Sequence, residues 1–410
     1  MAAARTARKR PLEYSLLYTA TLCMFAAGSV MVYSASSAES LLQGPGDPSY
    51  YLKRYVFCGL IGLVVMHLLS RHGLRLVKEV TPLLLIVSFV LTMAVMLPGA
   101  GVSANGATRW LGAGPLQFQP SELLKLALVL YAAQVLAARQ RSTKTLGGLV
   151  KPLLLVVGAA CALLMAQPDM GTTLVICFAI FSLLLAAGTP VRVLGTIVGT
   201  VVLLALIVAL IEPYRRARLT SFVDPFSDAG GAGFQAVQAL TAIGSGGLFG
   251  VGLGESVQKI FYLPEAHTDM ILAIIGEELG LFGLFGVIAL YGMLGYSGLR
   301  TAKLAKDRYS KLLAAGITSL VLSQASLNFF AVLGMAPLTG VPLPFISYGS
   351  TNLIVMMGGM GLLLNVAATG GRTAARERPR LKAIEGGRGG EDRDRSRRHG
   401  GSRRAGARGR

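Results

Sequence analysis

The sequence predicts an all-α polytopic integral membrane protein of about ten transmembrane helices, with both termini cytoplasmic and a large extracytoplasmic loop between helices seven and eight. Three observations carry that prediction. The 410-residue chain is 53% hydrophobic and only 14% charged, with a mean hydropathy of +0.60. Its apolar runs recur at the ~20 residues that cross a hydrocarbon core. Basic residues gather at alternate ends of those runs. Lipid cannot satisfy open backbone, so at this hydrophobicity helices are the spanning form.

The spans read 14–36, 52–70, 80–97, 120–138, 150–166, 170–187, 191–211, 269–299, 310–333 and 346–368. Span one follows Arg8-Lys9-Arg10, yet its apolar run exceeds the ~7–15 residues of a signal-peptide core, so it reads as an uncleaved anchor. Span four opens at Gln119-Pro120, where the missing N–H of proline costs nothing. Only Gln167-Pro168-Asp169 separates spans five and six, which makes that boundary a tight turn. Two outer loops are long, 98–119 and 212–268, and long loops in compact proteins are usually functional or disordered. The second carries Phe222, Phe226, Phe234, Phe249, Phe261 and Tyr262, and is expected to lie on the membrane surface as short helices and turns.

Charge orients the bundle. Arg5, Arg8, Lys9 and Arg10 precede span one, Arg71, Arg75 and Lys78 follow span two, and Arg139, Arg141 and Lys144 follow span four. Arg192 follows span six; Arg300, Lys303, Lys306, Arg308 and Lys311 follow span eight. Alternating spans put all of these on one side, cytoplasmic by the positive-inside rule. Arg215, Arg216 and Arg218, after span seven, are the exception, which a long loop tolerates and substrate contact would explain. Residues 1–12 form a basic N-terminus, 13–369 the membrane domain and 370–410 a basic tail. From 371 onward that tail holds fourteen Lys/Arg against five Asp/Glu. It reads as disordered and held near the anionic inner leaflet rather than on nucleic acid.

Cys23, Cys58, Cys161 and Cys177 all fall inside spans without metal-ligand spacing, and read as packing residues. The glycine-rich stretch Gly244–Gly254 has no Lys-Ser/Thr after it and no strand before it, so it does not read as a nucleotide cradle. Its glycines instead permit positive φ and close backbone approach.

Ionisable groups in the first turn of a membrane helix are costly and usually functional. Glu122 and Lys125 lie three apart on one face of span four, close enough to pair. The plainer alternative is a dipole-favoured carboxylate beside a snorkelling lysine. Span eight opens with His267-Thr268-Asp269. Thr268 is the expected N-cap and Asp269 the first helical residue, ionised at the positive helix end yet basic enough, when partly dehydrated, to accept a proton. Capping alone would also account for it. Topology puts Glu122, Lys125 and Asp269 at one outer level with Asp169, with Arg109 beside the single Trp110, and with the 342–350 segment opening span ten. Glu277 and Glu278 lie two turns deeper, beside Gly276 and Gly280 as a small close-contact face, without an assigned role.

On Arg109-Trp110, Gln119-Pro120-Ser121-Glu122-Leu123-Leu124-Lys125, Gln167-Pro168-Asp169-Met170-Gly171-Thr172, Leu263 through Asp269, and Leu343-Pro344-Phe345-Ile346-Ser347-Tyr348-Gly349, the chain resembles the SEDS proteins (shape, elongation, division and sporulation). These are membrane glycosyltransferases that polymerise lipid II into peptidoglycan strands, and the likeness runs over residues 12–368. Ser256-Val257-Gln258-Lys259, Tyr262–Asp269 and Ile274–Gly280 look most like the division branch, with the elongation branch the nearer rival. Gly349-Ser350 departs from the family's usual Gly-Gly.

The resemblance implies an outward-facing cavity with Asp269 as catalytic carboxylate and Glu122 and Lys125 as its conserved pair. Arg109, Gln119, Asp169, His267 and Ser347 are expected to bind substrate. Glycosyl transfer needs a base for the acceptor hydroxyl and cations for the departing pyrophosphate. No tightly bound cofactor and no metal ligands are expected; a divalent cation, magnesium or manganese, is the one ion the pyrophosphate would recruit. The implied partners are lipid II, undecaprenyl-pyrophosphate-linked glycan, membrane lipid, other division membrane proteins and a cognate class B penicillin-binding protein. That single-span transpeptidase is expected to pack on spans eight and nine and to touch loop 212–268. The implied location is the cytoplasmic membrane of a bacterium, at the septum. A lipid II flippase is the competing class. It needs a polar path through the inner half, where spans four and eight offer only Gln134, Glu277 and Glu278. A pure scaffold would leave the charge of Asp269 without work.

Overall fold

The computed structural model describes residues 11–377 apart from 45, 100, 105–106, 114–115, 141–143, 212–221 and 232. The first ten residues, Arg141, the Arg215–Arg218 cluster and the tail beyond 377 lie outside that set. Helices α1 (Leu12–Leu42), α2 (Tyr50–Arg71) and α3 (Leu74–Ala94) come first. Strands β1 (Gly101–Ala104), β2 (Ala107–Ala113) and β3 (Leu116–Phe118) follow, then α4 (Pro120–Ala138). Next are α5 (Leu146–Ala166, with a π-helical turn at Val150–Leu154), α6 (Met170–Ala187) and α7 (Val191–Ile211). The large loop holds α8 (Phe234–Gly246), and α9 (Ile271–Leu304), α10 (Arg308–Val332) and α11 (Ser350–Glu377) complete the bundle. Among the described residues nine helices are long and apolar enough to cross a membrane. Helix α7, apolar over its described length, is the remaining span read from the sequence.

Burial sorts the helices. Helices α4, α10 and α11 form the centre, while α2, α3 and α7 turn broad apolar faces outward, as lipid-facing helices do. The outer loop 98–119 is not irregular: β1, β2 and β3 form an antiparallel meander, with Val102 opposite Trp110 and Leu111 opposite Phe118. The sequence carried a signal for it, since Asn105-Gly106 between two apolar runs is a strong hairpin marker.

Two spans depart from the expected continuous helices. Span ten does not begin at 346; residues 336–349 cross the bundle as a non-helical strap and the helix starts at Ser350. Prolines 342 and 344 and the positive φ of Phe345 keep this stretch out of the helix. Span eight is also broken. Gly280, at φ 62° and ψ −158°, divides α9 into a half-helix, Ile271–Leu279, and a long second part.

The break frees backbone groups, and the glycine-rich loop takes them up. Val251 and Gly252 N–H donate to the carbonyls of Glu277 (2.9 Å) and Glu278 (3.1 Å). Leu281 and Phe282 N–H donate to Gly247 (3.0 Å) and Leu248 (3.3 Å). Such contact needs bare backbone: a Cβ on Gly246 would strike the Gly276 carbonyl, and one on Gly250 the Glu278 carbonyl. Close approach was the role expected of these glycines, and it is the role they have.

A matched pair tests the point. Gly246→Ala should lower the thermal unfolding midpoint in detergent, at a cost of about 1–3 kcal/mol for overpacking. Gly244→Ala, in the same helix with nothing within 4 Å, should leave the midpoint unchanged or raise it. An equal response at both positions would refute the packing described.

Candidate functional site at the outer mouth

The strap 336–349 organises the outer half of the bundle. Its carbonyls from 341 to 345 run through buried surroundings, and each accepts a hydrogen bond. Asn328 Nδ2 donates to Val341 (2.8 Å) and Gln324 Nε2 to Pro342 (2.8 Å). Ser347 N–H donates to Leu343 (3.0 Å), the Tyr291 hydroxyl to Pro344 and the Tyr55 hydroxyl to Phe345. Ser347 also closes the turn from its side chain, its Oγ accepting from Leu343 N–H at 2.8 Å.

Glu122 and Lys125 do pair, at 2.9 Å. They are 2% and 1% exposed, so in this conformation they are enclosed rather than lining an open cavity. Lys125 Nζ also donates to Gln324 Oε1 at 2.8 Å, which aims the amide of Gln324 at the strap. One turn along α10, Asn328 Nδ2 donates to the backbone carbonyl of Asp269 at 2.7 Å. The pair on α4 is thus connected to Asp269 through Gln324, the strap and Asn328.

Asp269 itself is half-buried and lies before the helix rather than in it. Thr268 is not the N-cap. A turn spans 265–270, closed by Met270 N–H on the Glu265 carbonyl (3.2 Å), and α9 starts at Ile271. The Thr268 hydroxyl lies 2.7 Å from Glu265 Oε2 and 3.3 Å from Asp269 Oδ1. Gly340, at a φ of 66° that favours glycine, passes close to the carboxylate: a Cβ there would make ordinary contact, 3.7 Å from Asp269 Oδ2. The same strap touches the start of α6, where a Cβ on Gly171 would strike the Thr339 carbonyl.

The remaining expected residues fall around this group. Asp169 caps α6, its Oδ1 accepting from Thr172 N–H at 3.2 Å, and its charge is close enough to act on Glu122. Arg109, carried on β2, donates to the Pro168 carbonyl in the turn before Asp169. Gln119, the N-cap of α4, donates its backbone N–H to Thr351 Oγ1 (3.1 Å). His267 Nδ1 lies 3.2 Å from Glu39 Oε2, its ring sits 4.4 Å from that of Tyr51, and its carbonyl accepts from Tyr348 N–H.

Sequence reasoning missed Gln324 and Asn328, although two amides four apart in an apolar span are a readable signal. It also left Glu277 and Glu278 unplaced. Glu278 pairs with Lys259 at 2.8 Å and accepts from Ser34 of α1. Glu277 accepts from Ser256 and from Val257 N–H (3.1 Å). Both carboxylates fasten the 254–259 loop to the half-helix. They mark no polar path through the inner half.

The family model described as cell cycle protein, FtsW/RodA/SpoVE, matches residues 14–370. The chain is 40% identical over 342 residues to the probable peptidoglycan glycosyltransferase FtsW of Geobacter sp. (strain M18), covering 83% of this chain and 92% of that one. It is 37% identical over 354 residues to stage V sporulation protein E of Bacillus subtilis (strain 168), covering 86% and 96%. Among solved structures it is similar to a chain from a peptidoglycan synthase complex described as coordinating polymerization and crosslinking, with a TM-score of 0.72 at 29% identity over 86% of this chain and 97% of that chain. It is also similar to the rod shape determining protein RodA of Thermus thermophilus, with a TM-score of 0.62 at 29% identity over 86% and 95%.

The buried pair yields a thermodynamic prediction. Lys125→Met leaves a buried carboxylate uncompensated and should cost about 3–5 kcal/mol. The double variant Glu122→Gln/Lys125→Met should recover most of that. Thermal unfolding of the purified variants measures both, and a single variant as stable as the parent would contradict the buried pairing.

Proposed function

The chain belongs to the family of cell cycle proteins that includes FtsW, RodA and SpoVE, and on that premise we propose how it works as a peptidoglycan glycosyltransferase of the division branch. Lipid II is polymerised at the outer face of the cytoplasmic membrane, at the septum. The observation that carries this reading is Asp269: a half-buried carboxylate at the outer mouth, clamped through its own carbonyl by Asn328.

In this reading Asp269 accepts the proton of the 4-hydroxyl on the acceptor GlcNAc. The oxygen bonds to the anomeric carbon of the donor MurNAc. The bond from that carbon to the diphosphate oxygen breaks with inversion, and its electron pair leaves on undecaprenyl diphosphate. Asp269 stands two residues before the start of α9, near the positive end of the helix dipole, where a negative charge is favoured. Arg109, at the turn before Asp169, is assigned to the diphosphate. Lys125 is already engaged by Glu122 and Gln324, so its role here is to hold the clamp. Among the described residues no three His, Cys, Asp or Glu side chains converge as metal ligands. A magnesium or manganese ion, where one takes part, would come with the diphosphate.

A class B penicillin-binding protein is the proposed partner. Phe249 of the large loop stacks on Phe282 of α9 at 5.2 Å, and both are well exposed. With Phe285 and Ile288 they continue one apolar strip from the loop onto the lipid-facing side of span eight. A membrane helix with an outer domain attached would cover that strip.

Two experiments follow. Asp269→Asn and Asp269→Ala should lower glycan formation from lipid II by about 10²–10⁴-fold, as loss of a general base does, without moving the unfolding midpoint. Parental polymer on a gel from either variant would end the assignment. Phe249→Ala/Phe285→Ala should reduce stimulation by the transpeptidase while basal polymerisation persists; undiminished stimulation would place the partner elsewhere.

A further inference from the structure

At the other end of the bundle from Asp269, the α6–α7 turn and the α9–α10 turn line an open cavity of about 450 Å³. That volume lies within the range of small-molecule sites. The helices' charge bias makes this end cytoplasmic, and the cavity sits where α9 and α6 stop, at headgroup depth. Three cations, Lys306, Arg308 and Lys311, stand in its wall with one carboxylate, Asp307.

The carboxylate is committed. Asp307 Oδ2 accepts from Ser310 N–H (3.1 Å) and Oδ1 from Ser310 Oγ (2.7 Å), capping α10. Burial works against its charge, but the Ser310 bonds and the nearby Lys78 ammonium outweigh this, so its carboxyl titrates below the usual range. Arg308 is committed as well. Its guanidinium donates to the Leu136 carbonyl (3.3 Å) and the Ala187 carbonyl (3.2 Å), closing the ends of α4 and α6. Lys306 and Lys311 differ: both are exposed, and neither has a carboxylate partner among the described residues. Two buried hydroxyls adjoin the wall in sequence, Thr189 after Gly188 and Tyr309 after Arg308, and neither has a hydrogen-bond partner among the described residues.

We propose that this cavity binds the phosphate of an anionic phospholipid of the inner leaflet, with Lys306 and Lys311 as its charge partners and Arg308 as a fixed third cation. A cationic cleft between helix ends at headgroup depth suits a lipid phosphate, and the alanines and Leu312 of the same wall suit its glycerol and upper acyl carbons. The site is separate from the polymerisation chemistry at the outer face.

The test places the full-length chain in phosphatidylcholine nanodiscs carrying spin-labelled phosphatidylglycerol or, separately, spin-labelled phosphatidylcholine. The immobilised fraction of each is read by electron paramagnetic resonance. The parent should prefer phosphatidylglycerol. Lys306→Ala/Lys311→Ala should reduce that preference by about fivefold per lysine, with the unfolding midpoint unchanged. Lys306→Glu/Lys311→Glu should carry it below parity. Arg71→Ala/Arg75→Ala, on the same face but outside the cavity, should keep it. An equal loss in the Arg71/Arg75 variant would reduce the effect to general surface charge and overturn the site. Displacement of the label by millimolar inorganic phosphate would overturn the lipid as ligand in favour of a soluble anion.

Discussion

The outer half of this bundle is built around one requirement: a non-helical strap inside a membrane protein must find a donor for every carbonyl. Lipid supplies none, and an unpaired carbonyl costs about 1–3 kcal/mol even by protein measures. Residues 341–345 meet the requirement with donors from α2, α9, α10 and the strap itself. Polar side chains at these depths therefore cannot be read as substrate contacts by default. Tyr55, Tyr291 and Gln324 are there because the strap is there.

The same framework positions the carboxylate assigned to catalysis. Asn328 divides its amide between Val341 and Asp269, so the strap and the turn that carries Asp269 share one anchor. Behind it, Gln324 is oriented by Lys125, and Lys125 by Glu122. A buried ion pair is a poor stabiliser, since apolar residues of equal volume often serve as well or better. What an apolar pair cannot do is point an amide. Directing Gln324 is the physical gain that accounts for two buried charges at the start of α4.

Much of this was legible beforehand, for reasons that differ by residue. Span lengths and the cytoplasmic lysines and arginines follow from the bilayer itself, so they were readable from composition and charge alone. Glu122–Lys125 was readable because helical spacing makes residues three apart neighbours. The exact start of α9 was not, because Thr268-Asp269 is also a sound capping sequence; the turn closed on Glu265 preempts it. The break at Gly280 was hidden for a similar reason, since glycine in a span usually signals helix packing. Only the approach of residues 247–252, far away in sequence, turns it into a break. The Lys259–Glu278 pair likewise exists only once the loop has folded back onto the half-helix.

These pieces make the half-helix Ile271–Leu279 a unit fastened at both ends. Its start is held by Asn328 on the Asp269 carbonyl and by Tyr348 N–H on that of His267. Its end is held by the backbone bonds across Gly280 and by Glu277 and Glu278 gripping the 254–259 loop. A continuous helix could satisfy its own backbone with none of this. Breaking it lets a short, rigid segment carry a carboxylate at the outer mouth while answering to two neighbours, the strap on one side and the large loop on the other. The exposed aromatic strip of that loop is therefore joined, through a nine-residue helix, to the turn that carries Asp269, the carboxylate assigned above to proton transfer.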